Sequence, residues 1–178
     1  LGVPQKICRR LRGGSVISLD SITFENGIHI IKGRIGSGKS TFARRLAEDA
    51  EFSGNRRILL FQEIECHLTE DTVGKEIASW NVTGDETEFR VLGKPEISRD
   101  PYTLSRGELK RLLLSCILSA DADCLILDEP YSSLDSDAKE ILTELLRART
   151  GVTVLFTHEM PNLDAFFWEI REGRLCRM

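Results

Sequence analysis

The chain has 178 residues, of which 41% are hydrophobic and 29% charged, and its formal net charge is −4. That length and balance suit one globular domain with a substantial core, and the mild acidity argues against a general nucleic-acid binder. No apolar run approaches the roughly 20 residues that cross a bilayer, and the start, Leu1 to Lys6, lacks the apolar centre of a signal peptide, so a soluble cytosolic protein, or the soluble part of a larger assembly, is expected.

Arg9, Arg10 and Arg12, followed by Gly13-Gly14, read as an edge strand or an arm. Val16 to Phe24 alternates as one strand, and Asn26-Gly27 is a turn into the next, Gly27 to Lys32, which makes an N-terminal antiparallel hairpin. The stretch Gly33-Arg34-Ile35-Gly36-Ser37-Gly38-Lys39-Ser40-Thr41 then fits the phosphate-binding pattern G-x-x-x-x-G-K-[ST] at every fixed position. A helix from Thr41 to Ala47 follows, with Phe42 and Leu46 on one face. The residue types suit a triphosphate. The glycines let successive backbone N–H groups turn toward the phosphates, and the helix start near Ser40 adds its positive dipole end. Lys39 supplies a full charge to the β- and γ-phosphates, and the Ser40 hydroxyl is a ligand for Mg²⁺.

Ser53-Gly54-Asn55 breaks the chain before a short apolar strand, Arg57 to Phe61, which ends at Gln62. From there to Tyr102 the composition turns polar, with weak helical patterns at Thr72 to Ala78 and Thr87 to Leu92; residues 62–103 read as a small helical insertion off the main sheet. Leu104-Ser105-Arg106-Gly107-Glu108 opens a helix with an apolar face of Leu109, Leu112, Leu113, Cys116, Ile117 and Leu118. Ser105 and Glu108 form a capping-box pattern at its start. Cys124 to Leu127 is a buried strand ending in Asp128-Glu129-Pro130. Ser136 to Arg149 is an amphipathic helix closed by Gly151. Val152 to Phe156 is another buried strand, ending in Thr157-His158, and Gly173 marks a final hairpin. The alternation of strands and helices indicates an α/β fold with a largely parallel core sheet. The five cysteines, Cys8, Cys66, Cys116, Cys124 and Cys176, form no C-x-x-C pair. Cys116 and Cys124 read as core, and Cys66-His67 lacks the second pair that a zinc site needs.

Gln62, Asp128-Glu129 and His158 all follow predicted strands directly, and ligands of parallel sheets bind at the carboxyl ends of strands. Asp128 is placed to hold Mg²⁺, Glu129 to act as general base on a water, Gln62 to orient that water or touch the metal, and His158 to hydrogen-bond the γ-phosphate. Each has a plainer reading alone: a surface glutamine, a helix-starting Asp-Glu-Pro turn, a structural histidine. Their joint occurrence at strand ends favours one nucleotide site.

In this order the residues resemble the ATP-binding cassette ATPases, with the fold of P-loop NTPases in three layers. Gly33 to Thr41 is similar to their Walker A, Gln62 to the Q-loop, Leu104 to Glu108 to the signature, Leu125 to Glu129 to Walker B, Ser133-Leu134-Asp135 to the D-loop and Thr157-His158 to the switch histidine. The region from Phe61 to Ala78 looks like that of energy-coupling-factor and cobalt-type importer ATPases. The resemblance implies a single ATPase domain over residues 1–178, hydrolysing ATP with Mg²⁺. It also implies a head-to-tail dimer with a second ATPase subunit, alike or different, in which Ser105, Arg106, Gly107 and Glu108 of one subunit face the nucleotide on the other and Asp135 links the two sites. A transporter subunit would further need an integral membrane partner and would lie on the inner face of the cell membrane, with no nucleic acid involved. The alternative is a soluble cassette ATPase acting on DNA, ribosomes or iron–sulfur assembly; Glu108 is shared with chromosome-maintenance and repair heads, yet the long coiled coil those need has no heptads here.

The chain departs from the family where Arg106 replaces the common signature glycine and Glu108 the frequent glutamine. It is short for the family, and no aromatic precedes Phe24 to stack on adenine. Weak base selectivity is therefore expected, with Arg9 or Arg10 as a stacking surface.

Overall fold

The structure is a computed structural model that describes residues 17–19, 22–34, 36–48, 56–80, 96–171 and 173–178. The expectations placed on Arg9, Arg10, Ser53 to Asn55 and Thr87 to Leu92 lie outside these residues. The chain divides into two compact units. One comprises the described residues up to Gln62 with Ala122–Pro130 and Leu146–Met178; the other comprises Glu63–Asp121 and Tyr131–Leu145.

The first unit is built on strands β1 (Ile17–Leu19), β2 (Ile22–Phe24), β3 (Gly27–Lys32), β4 (Arg57–Leu60), β5 (Cys124–Asp128), β6 (Val152–Phe156), β7 (Ala165–Arg171) and β8 (Arg174–Arg177), with helix α1 (Lys39–Glu48). Six strands form one sheet in the order β4-β5-β6-β3-β7-β8. All neighbours are parallel except the final β7–β8 hairpin. Strands β5 and β6 are buried along their whole length, the pattern of parallel strands covered on both faces. Phe42, Ala43 and Leu46 of α1 pack in one core with Ile31, Ile126, Val154 and Phe156.

The hairpin is where sequence and structure differ. An antiparallel hairpin is present at the N-terminus, but it joins β1 to β2, pairing Ile17 with Phe24, within the stretch that reads as a single strand. Asn26-Gly27 does not fold β3 back onto it. Strand β3 takes β6 and β7 as parallel neighbours on its two sides, because Ile28, His29, Ile30 and Ile31 are all buried and a strand apolar on both faces belongs at the centre of a sheet.

The second unit holds α2 (Val73–Ser79), α3 (Arg106–Ser119), most of α4 (Ser136–Ala148) and short 3-10 turns at Ile64–His67 and Pro101–Thr103. Glu76 of α2 is fully buried. Its carboxylate accepts the backbone N–H groups of Thr69 at 2.9 Å and Glu70 at 3.1 Å and the indole N–H of Trp80 at 2.9 Å, which satisfies an otherwise costly buried charge. Ser105 and Glu108 complete the capping box of α3.

His29 sits buried in β3, stacked on Phe166 at 4.9 Å and edge-on to Phe24 at 5.0 Å. Its Nε2–H donates to the Glu25 carbonyl at 2.8 Å and its Nδ1 accepts from Trp168 at 3.1 Å, so both nitrogens are engaged by the neutral ring. Burial lowers its pKa below the ordinary 6.5, the nearby Arg177 charge also lowers it, and the hydrogen bond to Glu25 opposes the shift. The unfolded chain therefore takes up this proton first as pH falls. The stability that depends on neutral His29 is fully present above 6.5 and is lost as pH drops below 6.5 toward the native value. Melting temperature measured against pH is expected to decline over that window, and His29→Gln, which keeps one donor and one acceptor, is expected to flatten the decline.

Candidate nucleotide site

The parallel sheet places the ends of β3, β4, β5 and β6 along one edge, where Asp128 ends β5 and the phosphate loop, Gln62, Glu129 and His158 follow their strands. The phosphate loop leaves β3 and enters α1. Gly36 and Gly38 have φ of 79° and 91°, left-handed values that a side chain strains to adopt. A Cβ at Gly33 would overlap the Ser37 hydroxyl. Ile35 lies outside the described residues.

Lys39 Nζ donates to the carbonyls of Gly33 at 2.8 Å and Arg34 at 3.3 Å, folding over the loop. The Ser40 hydroxyl donates to Asp128 Oδ2 at 2.7 Å. Asp128 is 2% exposed at the end of β5, so the sheet brings a buried carboxylate to the first turn of α1. Ser37 Oγ is buried and has no hydrogen-bond partner among the described residues. An orphaned hydroxyl, a loop of left-handed glycines, an ammonium and a helix N-terminus make a cradle suited to phosphate. The hydroxyl of Ser40 with the carboxylate of Asp128 is a hard oxygen pair suited to Mg²⁺, which is bound through one or two protein oxygens with phosphate and water completing its shell.

Glu129 follows with φ of 49°. Its amide donates to the Phe156 carbonyl at 2.8 Å, which holds the residue against the end of β6. Its Oε1 lies 3.4 Å from His158 Nε2. Glu129 is mostly enclosed, with 16% of its side chain exposed, and His158 is open, at 53%. Thr157, which the sequence singles out merely as the neighbour of His158, fixes this corner: its amide reaches the Ile31 carbonyl at 3.4 Å and its Oγ1 accepts from the Glu159 amide at 3.0 Å. Gln62 is exposed just beyond β4, where the Arg44 guanidinium covers the Phe61 ring at 5.2 Å. Phe24 is fully buried beside His29 and Trp168 and offers no face to a base.

The remaining predicted residues, Ser105, Arg106, Gly107, Glu108 and Asp135, belong to the other unit. There Asp135 accepts the Ala138 amide at 2.9 Å at the start of α4 and pairs with Arg111 of α3. Ser133 has φ of 64°, and its carbonyl lies 3.0 Å from where a Cβ of Gly107 would stand.

A family model described as ABC transporter matches residues 19–132, from the end of β1 past Asp128 and Glu129. The chain belongs to the ABC transporter family. An energy-coupling factor transporter ATP-binding protein, EcfA2 of Listeria monocytogenes, is 29% identical over 182 residues, covering 80% of this chain and 63% of that protein. EcfA1 of Thermotoga maritima is 30% identical over 186 residues, covering 87% of this chain and 71% of its own. The chain thus spans 63% of the length of the Listeria relative. Among solved structures, one titled as the ATP binding subunit of an ABC transporter superposes with a TM-score of 0.68 at 17% identity, covering 92% of this chain and 87% of that one. The fold is the α/β fold of P-loop ABC ATPases, and this family membership implies ATP binding.

Lys39→Ala removes the loop's full charge, and Gly38→Ala forces a side chain into the left-handed region at φ of 91°. Each is expected to weaken Mg-ATP binding by about tenfold or more, ~1.4 kcal/mol, read by calorimetric titration, with the circular dichroism spectrum unchanged.

Proposed function

We propose that this chain is the ATP-hydrolysing subunit of an ABC transporter. The observation that carries the reading is the 2.7 Å bond from Ser40 to Asp128, which joins the phosphate loop to the acidic end of β5, with Glu129 next in the chain and His158 facing it. Family membership and the likeness to energy-coupling factor ATP-binding proteins support it. In this reading Gly33 to Thr41 wrap the phosphates and Lys39 meets the β- and γ-phosphates. Mg²⁺ would be held by Ser40 and Asp128, with Gln62 a further candidate ligand, and would supply neutralisation of charge on the transferring phosphoryl group. Glu129 takes a proton from the attacking water. His158, whose Nε2 lies 3.4 Å from the Glu129 carboxylate, hydrogen-bonds the γ-phosphate.

The same reading makes residues 1–178 a single ATPase domain, with 62–103 as its reduced helical insertion. It pairs the chain head to tail with a second ATPase subunit, to which Ser105, Arg106, Gly107 and Glu108 present the start of α3 as an anion site while Asp135 connects the two nucleotides. It seats the pair on an integral membrane subunit at the inner face of the membrane. Among the described residues no helix is long and apolar enough to cross a membrane.

Glu129→Gln is expected to reduce ATP turnover by about 10²-fold or more, the scale of losing a general base, while Mg-ATP affinity stays within twofold. Turnover is read by phosphate release. The trapped variant, purified in mild detergent with Mg-ATP, is expected to bring an integral membrane protein with it; recovery of soluble proteins or nucleic acid alone overturns the transporter assignment.

A further inference from the structure

Two helices of the second unit start close to the stretch Glu96–Leu104, and that stretch reaches both. A helix start leaves backbone N–H groups without partners inside the helix. At α2 these are met from outside: the Val73 amide donates to the Arg99 carbonyl at 2.9 Å and the Gly74 amide to the Ile97 carbonyl at 2.8 Å. Gly74 suits the approach, since a Cβ there would stand 3.2 Å from the Ile97 carbonyl oxygen.

The side chain of Arg99 points the other way along the chain. Its Nε donates to Thr103 Oγ1 at 3.1 Å, one Nη to the Thr103 carbonyl at 2.7 Å and the other to Glu108 Oε1 at 3.2 Å. The fork of the guanidinium spans three acceptors that a lysine ammonium cannot meet together in the same plane. Glu108 is occupied at both oxygens, because Oε2 accepts the Ser105 amide at 2.8 Å. The bond from Ser105 holds the Glu108 carboxyl below the usual glutamate range, and the Arg99 charge adds to that. This accounts for a departure noted in the sequence. Where related signatures often carry glutamine, this chain carries a glutamate whose charge is answered within its own loop.

We propose that Arg99 is a positioning residue for the signature, fixing the start of α3 through Glu108 and Thr103 to the same backbone that holds the start of α2. A change imposed on α2 then reaches Ser105, Arg106 and Gly107 through a short chain of hydrogen bonds. The pair is partly exposed, 35% for Arg99 and 48% for Glu108, so it adds little to global stability and its effect falls on local geometry. The proposal rests on the ATPase reading above.

The test is steady-state ATP hydrolysis by the full chain with the subunits that co-purify with it. Arg99→Ala is expected to lower kcat by about tenfold, one order on the transition-state scale, with KM and Mg-ATP affinity within twofold of wild type, because the phosphate loop belongs to the other unit. Amide exchange at Val73 and Gly74 is expected to quicken. Arg99→Lys is expected to recover part of the rate. In a Glu108→Gln background Arg99→Ala is expected to cost less than it does in wild type, the mark of two residues acting through one contact. Wild-type rates in Arg99→Ala, additive effects of the two substitutions, unchanged exchange at Val73 and Gly74, or collapse of nucleotide affinity each overturn the proposal alone. Absence of turnover in the wild-type assembly overturns the ATPase reading and the proposal with it.

Discussion

One hydrogen bond between residues 88 positions apart, Ser40 to Asp128, sets the constraint that the first unit has to meet. For it to form, β3 and β5 must run the same way and end at the same edge, with β6 between them. That in turn demands strands apolar on both faces, a helix returning after β3 to cover the sheet, and tight backbone at the loop. The buried core of Ile31, Phe42, Leu46, Ile126 and Phe156 is what makes that arrangement rigid. Each such side chain contributes on the order of 1.5–3 kcal/mol of burial, and the site inherits its precision from this packing rather than from its own polar contacts.

The second unit solves a different problem. It has an apolar centre of its own along α3, where Leu112, Leu113, Leu114 and Ile117 are fully buried, and polar groups tie the turns and helix starts around it. Glu76 gathers three N–H donors around one carboxylate, Arg99 gathers three acceptors around one guanidinium, and Asp135 joins α3 to the start of α4. Around buried Glu76 such a network specifies one geometry, because a member left unpaired there is costly; the partly exposed contacts of Arg99 and Asp135 orient their neighbours at little net gain in stability.

The candidate nucleotide site is legible in the sequence for a physical reason. Phosphate binding needs glycines, a lysine and a hydroxyl at fixed spacing, and parallel strands need unbroken apolar runs, so Gly33 to Thr41, Asp128, Glu129 and His158 are marked locally. The capping box at Ser105 and Glu108 is legible for the same reason. The hairpin is not, because alternation from Val16 to Phe24 cannot reveal that the strand breaks between Leu19 and Ile22, nor that β3 pairs with strands more than a hundred residues away. His29, Glu76 and Arg99 are equally hidden. Nothing beside His29 in the chain indicates that Trp168, 139 positions on, donates to it, and Arg99 reads as one charge in a polar stretch until Thr103 and Glu108 are seen around it.

Glu129 and Ser133 are the non-glycine residues with positive φ among those described, at 49° and 64°. Holding a side chain there costs on the order of 1–3 kcal/mol per residue, so the chain is less stable than its core would allow. Directed evolution for heat resistance would find relief at these two positions, with glycine the easiest gain. At Glu129 that gain removes the carboxylate that faces His158. A library ranked by thermal survival alone would therefore enrich hardier proteins stripped of that side chain, and activity has to be selected alongside temperature for such a screen to be informative.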